Sequence, residues 1–405
     1  MAALPEPLSN PGSNRSEDDA PTVGFLELFY DLVFVASTMV LSNAFSEELT
    51  WHWAGLCSLT FALIWMLWFH TTLLSNVERR DDFGHRGLVL FQMFLIVLTV
   101  LAFVDRESTN NDFLGVTYGL AVVCVATMYH RIIGANPKAA AWARMRRNRL
   151  LGAGVLLMVN TALPDWADTI VFLIAIGILV IPSSLGSAKR FPLPAVDVHH
   201  MSERAALLTL IMCGEAFVKV SLVVSNGSLS RSDVVAIVVE FVVVFAVFWT
   251  YFDDVPHAGI KTGQVRGEMW MLSHLPLQIG IVAIAVGMSK FLDVEHGVHD
   301  EVVGILGTGW AAVYGGLALI GLFGRRTPGG PLLVLRLATA GVAVTFALLD
   351  WYVVWVEPNL FVAVLAVLTV AHAAVAAKLR ERTTVLGHEH ASALEGDTSG
   401  LDTEP

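Results

Sequence analysis

Charged residues occur in this sequence where an apolar environment is expected. Glu203, Glu215 and Lys219 lie along the apolar run near 204–226, and their spacing in multiples of four places them on one face of a helix. A carboxylate near the centre of a bilayer is costly, so it must face protein or water. The pattern therefore indicates a site where a carboxyl group changes its protonation state or binds a cation.

A second acidic stripe lies on the first apolar run of the chain. Glu27, Asp31, Thr38 and Ser42 share one helical face, and Asp31 is about 10 Å along that helix at 1.5 Å per residue. Glu27 is expected to lie at the boundary between membrane and water. Two interpretations of Asp31 remain open, namely a proton or cation site and a structural partner for another buried group.

Glu215 and Glu240 have an alternative, purely structural interpretation, in which they balance the charge of a buried lysine. Glu215 and Lys219 stand at i and i+4, which suits an ion pair, and Glu240 lies at a similar depth on the next helix. A network of these three residues would neutralise much of the buried charge. Arg204, near the membrane boundary, is the candidate charge partner or anion anchor for the acids.

A histidine and a glutamine add polar groups to the ninth apolar run. His274 and Gln278 lie four residues apart on one face, and Pro276 between them weakens the helix because proline removes a main-chain hydrogen bond. Histidine suits proton relay because its ordinary pKa is near neutrality. A lone histidine on an apolar helix is more often a hydrogen-bonded core residue, so both interpretations stand.

Composition places the chain in a membrane. The 405 residues are 55% apolar and only 15% charged, against about 25% charged residues in soluble domains. Repeated apolar runs of about 20 residues match the thickness of a bilayer. We therefore predict an all-α polytopic membrane protein in contact with the lipid bilayer. No basic arm suggests nucleic acid, and no sequence motif indicates a cofactor or a metal site.

The apolar runs predict about twelve transmembrane helices between two polar ends. Residues 1–22 are predicted to be a disordered cytoplasmic N-terminus, 23–190 and 191–378 to form two six-helix halves, and 379–405 to be a disordered acidic tail. The predicted helices are 23–45, 52–75, 86–104, 112–131, 149–163, 167–186, 204–226, 231–252, 268–289, 300–323, 332–349 and 351–377.

Basic residues support this topology. With the N-terminus inside, the inner segments carry 21 lysines and arginines and the outer segments carry three, namely Arg106, Arg231 and Lys290. We expect a multi-pass protein of the cell membrane with both termini in the cytoplasm. A weak sequence echo between 31–37 and 215–221 is typical of two parallel repeats, which relate helices 1 and 7.

Four motifs, in order, resemble those of a known family. The stretch 25–35, Phe-Leu-Glu-Leu-Phe-Tyr-Asp-Leu-Val-Phe-Val, is similar to the opening signature of the bacterial low temperature requirement A (LtrA) family. The charged loop 78–86, Glu203-Arg204 with Gly214-Glu215, and 273–277 resemble its later motifs. The likeness covers about 23–377. It implies the same membrane topology, and no biochemical activity comes with it.

Buried charge without an energy-coupling domain favours a secondary transporter or an ion- or proton-coupled carrier for an unknown ion or small molecule. The candidate ion- or substrate-binding residues are Glu27, Asp31, Glu203, Arg204, Glu215, Lys219, Glu240, His274 and Gln278. We expect them to surround one inward-facing polar cavity that narrows near Glu215. The alternatives are an ion or proton channel, and a non-transport protein that binds a cofactor or lipid and supports growth in the cold. Enzyme activity is not favoured, and a homo-oligomer is left open.

Overall fold

The computed structural model describes residues 23–105, 111–182, 194, 197–225, 231–261, 263–292, 299–325, 330–352 and 358–398. Within these ranges the chain forms thirteen α-helices and no β-strand. The helices are α1 (Phe25–Glu47), α2 (Trp51–Val77), α3 (Phe83–Val104), α4 (Asn111–Ala135), α5 (Ala140–Asn160), α6 (Asp165–Val180), α7 (Val198–Ser225), α8 (Arg231–Ala258), α9 (Gln264–Leu272), α10 (His274–Leu292), α11 (His299–Phe323), α12 (Gly330–Tyr352) and α13 (Pro358–Thr398).

The all-α membrane class is confirmed. Among the described residues, eight helices are long and apolar enough to cross a membrane, and α9 and α10 count as one of them, Gln264–Lys290. The helices α5 to α8 are not among the eight; α5 contains four arginines and α6 has 16 residues. Every predicted helix corresponds to an observed one, whereas a count of twelve crossings stays a prediction.

Local chemistry explains several helix boundaries. The side chains of Thr50 and Asp82 accept hydrogen bonds from main-chain N–H groups in the first turns of α2 and α3, which would otherwise lack partners. Pro276 cannot donate to the carbonyl group of Leu272, four residues earlier. The interruption caused by this proline therefore lies at Ser273, between α9 and α10.

Two boundaries differ from the sequence prediction. Helix α5 begins at Ala140 rather than at 149, and so includes arginines that hydropathy assigns to a loop. Helix α13 continues to Thr398 and thus includes most of 379–405, because residues such as Ala, Leu, Glu and Arg favour a helix even in a polar segment. The predicted N-terminal tail, 1–22, lies outside the described residues.

The order of helix neighbours recurs along the chain. The pairs α1–α3, α3–α4, α4–α5 and α5–α6 have counterparts in α7–α10, α10–α11, α11–α12 and α12–α13. The two sets meet where α1 and α2 pack against α7 and α10. Among the eight apolar spans, α2 has the largest share of buried residues, and α3, α12 and α13 have the smallest. The core therefore lies around α2, and these three helices face lipid.

Close packing of α10 and α11 depends on one of two adjacent glycines. A Cβ atom at Gly316 would lie 2.7 Å from the main-chain nitrogen of Leu277, whereas a Cβ atom at Gly315 would have no described atom within 4 Å. We expect Gly316→Ala to lower the free energy of unfolding by about 1–3 kcal/mol, the usual cost of overpacking.

Gly315→Ala is the matched control, since it makes the same change one residue away and favours the helix slightly. Unfolding of both variants in the same detergent compares them directly. Equal stabilities would contradict the close approach of the two helices.

Candidate functional site

Helices α1 and α7 pack in parallel along a seam of polar contacts. His200 Nε2 lies 3.3 Å from Glu27 Oε2, Arg204 Nη1 donates to Asp31 Oδ2 at 2.7 Å, and Ser42 Oγ donates to Glu215 Oε1 at 3.1 Å. Each pair is separated by 173 residues in sequence. A constant separation means that the helices run in the same direction with a fixed register.

The seam has two polar layers. The inner layer, nearer the N-terminal ends of both helices, contains Asp31 and Arg204, and the outer layer contains Ser42 and Glu215. Eleven residues separate the Asp31–Arg204 contact from the Ser42–Glu215 contact on both helices, which is three helical turns or about 16 Å. Arg204, the candidate charge partner of both acids, contacts Asp31 in one layer, and Glu215 lies in the other. The two acids therefore lie on the same seam in separate layers.

Asp31 in the inner layer has a full set of partners. Its carboxylate is completely buried, accepts from Arg204, and also accepts from Trp68 Nε1 at 2.7 Å. The guanidinium group of Arg204 lies 5.8 Å from the centre of the Trp68 ring. The two charges neutralise each other and the carboxylate is hydrogen-bonded, which favours a buried ion pair, although Arg204 Nε has no acceptor among the described residues. The structural interpretation of Asp31 fits this geometry.

The outer layer contains carboxylate oxygens without donors. Glu215 and Glu240 are 4% and 1% exposed, respectively, and the two carboxyl groups interact electrostatically. Neither oxygen of Glu240 receives a hydrogen bond from the described residues, and Glu215 Oε2 does not either. Buried carboxylates normally accept several hydrogen bonds. This layer therefore differs from the inner one in having capacity for a proton or a ligand.

Lys219 supplies the positive charge of the outer layer. Its Nζ atom donates to the main-chain oxygen of Ser42 at 3.0 Å and to Asn43 Oδ1 at 2.9 Å, and it attracts Glu215 electrostatically. Lys290 of α10 opposes it electrostatically. Glu215 thus interacts electrostatically with both Lys219 and Glu240, which are two of the three pairs in the predicted network. We call Ser42, Asn43, Glu215, Lys219 and Glu240 the outer cluster.

A small cavity adjoins the outer cluster. It has a volume of about 30 Å³ and is lined by Ser42 together with residues of α1, α2 and α10 such as Phe61 and Ile279. A single water molecule needs about 10–15 Å³ on this measure. The Ser42 hydroxyl group, which donates to Glu215, therefore adjoins a space large enough for water, with Ser42 and Ser58 as polar groups in a mostly apolar lining.

His274 and Gln278 form hydrogen bonds in the middle of the protein. His274 Nδ1 lies 3.0 Å from the main-chain oxygen of Trp270, so this nitrogen is assigned the proton, and Nε2 accepts from the Tyr251 hydroxyl group at 3.1 Å. Trp65 Nε1 donates to Gln278 Oε1 at 2.8 Å. Both side chains are completely buried. These contacts fit the interpretation of hydrogen-bonded core residues.

Glu203 belongs to a different environment. It lines an open cleft between the first half of α7 and the last turns of α8, with a volume of about 630 Å³. Asp31 and Glu215 are not among the lining residues of this cleft. The candidate residues therefore do not surround one cavity together: Glu203 faces the cleft, and the deeper acids lie inside the helix packing.

Sequence reasoning missed a buried cluster around Arg146. This arginine is 1% exposed, its Nη2 atom donates to Glu268, and its Nη1 atom lies 3.2 Å from His70 Nδ1. Hydropathy assigned it to a loop. The sequence contains a signal for this burial. A stripe on one face of α5, with a spacing of four residues, is formed by Trp142, Arg146 and Leu150, and all three are buried. A second buried arginine, Arg336 of α12, pairs with Asp254.

Two comparisons with known proteins identify relatives of the chain. The family model described as bacterial low temperature requirement A protein (LtrA) matches residues 22–377. An uncharacterised protein of Rhizobium meliloti (strain 1021) is 20% identical over 290 residues, which cover 67% of this chain and 70% of that protein. The family match spans all the helices that carry the candidate residues.

Proposed function

This chain belongs to the bacterial low temperature requirement A family, and on that premise we propose that it is a secondary carrier of the cell membrane, coupled to protons through Glu215 and Glu240. Asp31, Arg204, His274 and Gln278 then hold the helices in position. This assignment narrows the set of residues expected from sequence to one cluster.

One observation carries the proposal: two buried carboxyl groups that interact electrostatically have three oxygens that receive no hydrogen bond from the described residues. Lys219 attracts Glu215 electrostatically, so an ionised Glu240 would add a second buried negative charge, which costs several kcal/mol inside a membrane. A proton shared between Glu215 and Glu240 removes this charge. Loss and uptake of that proton would couple a gradient to a conformational change.

The surroundings of the cluster support this role. The Ser42 hydroxyl group links Glu215 to the edge of a cavity that can hold water, which is the kind of contact that a proton needs to reach a buried acid. The recurring order of helix neighbours supports two parallel six-helix halves that meet at α1 and α7, an arrangement found in several carrier folds. The excess of basic residues in the inner segments supports cytoplasmic termini.

Proton uptake into proteoliposomes tests the proposal. We expect the purified full-length protein to take up protons, reported by a trapped pH-sensitive dye, when valinomycin and a potassium gradient make the interior negative. Glu240→Gln replaces the titratable carboxyl group with an amide of the same shape. We expect this variant to slow uptake by roughly two orders of magnitude, as loss of a proton-transferring group does.

Glu47→Gln is the matched control, because Glu47 is an exposed acid at the end of α1 near the same face. It should leave uptake unchanged. Equal uptake in the Glu240→Gln variant would remove the cluster from the coupling step. Discrete single-channel currents in a planar bilayer would instead favour an ion channel.

A further inference from the structure

The cleft between α7 and α8 combines an apolar wall with one carboxylate side chain. Leu207, Phe252 and Pro256 form much of the wall, and His199, Ser202 and Glu203 form the polar edge. Helix α7 ends at Ser225 and α8 begins at Arg231, so the two helices are joined at their far ends and the cleft lies where they diverge.

Glu203 is the polar side chain that gives the cleft its charge. Its side chain is 30% exposed and lines the cleft, whereas its Oε2 atom is buried. The Nδ1 atom of His199, on a side chain that is 75% exposed, lies 3.9 Å from Oε2. A hydrogen-bond donor that carries positive charge would be attracted to the exposed part of this carboxylate, whereas an anion would be repelled by it.

We propose that this cleft binds an amphipathic organic amine in its ammonium form, with the ammonium group on Glu203 and the apolar body against Leu207, Phe252 and Pro256. The volume of about 630 Å³ lies in the range of small-molecule sites, which are mostly apolar with a few placed polar groups. This inference names the substrate class of the proposed carrier and rests on that proposal, but binding can be measured without transport.

Binding of ethidium, a fluorescent amphipathic cation, to the full chain in nanodiscs of phosphatidylcholine tests this site. We expect decylamine, which is an ammonium ion at neutral pH, to displace ethidium at concentrations at least about tenfold lower than decanol, a difference of about 1.4 kcal/mol. Equal displacement by the two compounds would show that the cleft does not select positive charge, and would overturn the proposal.

Two variants assign the binding to the cleft. Glu203→Gln should raise the ethidium Kd at least about tenfold, since it removes the charge and keeps the shape. Ala206→Phe should raise the Kd as well, because the larger side chain fills the cleft. This variant tests the site independently if Glu203→Gln does not fold. Glu381→Gln, an exposed acid of α13, is the control. Unchanged binding in both cleft variants would contradict the site.

Two further experiments distinguish a lipid headgroup from a soluble amine and binding from transport. Displacement of ethidium when phosphatidylethanolamine replaces part of the phosphatidylcholine would identify a lipid headgroup as the ligand and overturn a soluble substrate. The double variant Glu215→Gln/Lys219→Met should still bind ethidium, since both residues lie outside the cleft. Binding without proton uptake in the native chain would therefore contradict the carrier while leaving the cleft site in place.

Discussion

The double variant Glu215→Gln/Lys219→Met is expected to fold normally and to lose proton uptake. Glu215→Gln alone leaves the Lys219 ammonium group buried beside the amide. The ammonium group still donates hydrogen bonds to Ser42 and Asn43, but less negative charge surrounds it. Removing both charges together restores neutrality and avoids most of the cost of an unpaired buried charge. Stability and proton transfer are thereby separated.

The two interpretations of the outer cluster give opposite results for this variant. If the cluster only balances charge, the neutral pair should support uptake at the native rate. If Glu215 carries the proton, uptake should fall by roughly two orders of magnitude, because glutamine cannot exchange a proton at that position. The proteoliposome assay measures uptake, and thermal unfolding in the same detergent measures stability. Native uptake in a stable double variant would contradict the proton-coupling role.

Arg204→Met is expected to destabilise the protein by about 3–5 kcal/mol, the usual cost of leaving one partner of a buried ion pair alone. Asp31 would keep only the hydrogen bond from Trp68 at 2.7 Å while remaining completely buried. The double variant Asp31→Asn/Arg204→Met should recover much of this loss, since the asparagine oxygen still accepts from Trp68 and no charge is left unpaired.

An exposed ion pair provides the control for this cycle. Arg86 Nη2 lies 2.6 Å from Asp81 Oδ2, a contact as short as the buried one, but both side chains are more than half exposed. The hydrogen bonds from Arg86 hold the pKa of Asp81 below its ordinary value. Solvent screens such pairs, so Arg86→Met should leave stability unchanged within error. Unfolding in mixed micelles measures all three variants, and equal losses at the two sites would contradict the buried role of Arg204.

The sequence predicted the helices well because long apolar runs leave few other structures in a membrane. It also identified the acids of α1 and α7, since a charge in an apolar run is visible without coordinates. It named Arg204 as a charge partner of the acids but could not decide between Asp31 and Glu215, because the register of two helices depends on packing between segments 173 residues apart. Arg146 was missed for a related reason: its partner Glu268 is 122 residues away, and arginine alone suggests a loop.

The fixed register of α1 and α7 restricts how the two halves can move. Sliding α7 by one turn, about 5.4 Å, in one direction would place Leu208 opposite Asp31 and leave a buried carboxylate against an apolar side chain. Translation along the seam therefore breaks the inner ion pair, whereas rotation about the seam preserves it. A transport cycle in this protein is expected to rotate one half against the other around α1 and α7, with Asp31 and Arg204 near the axis.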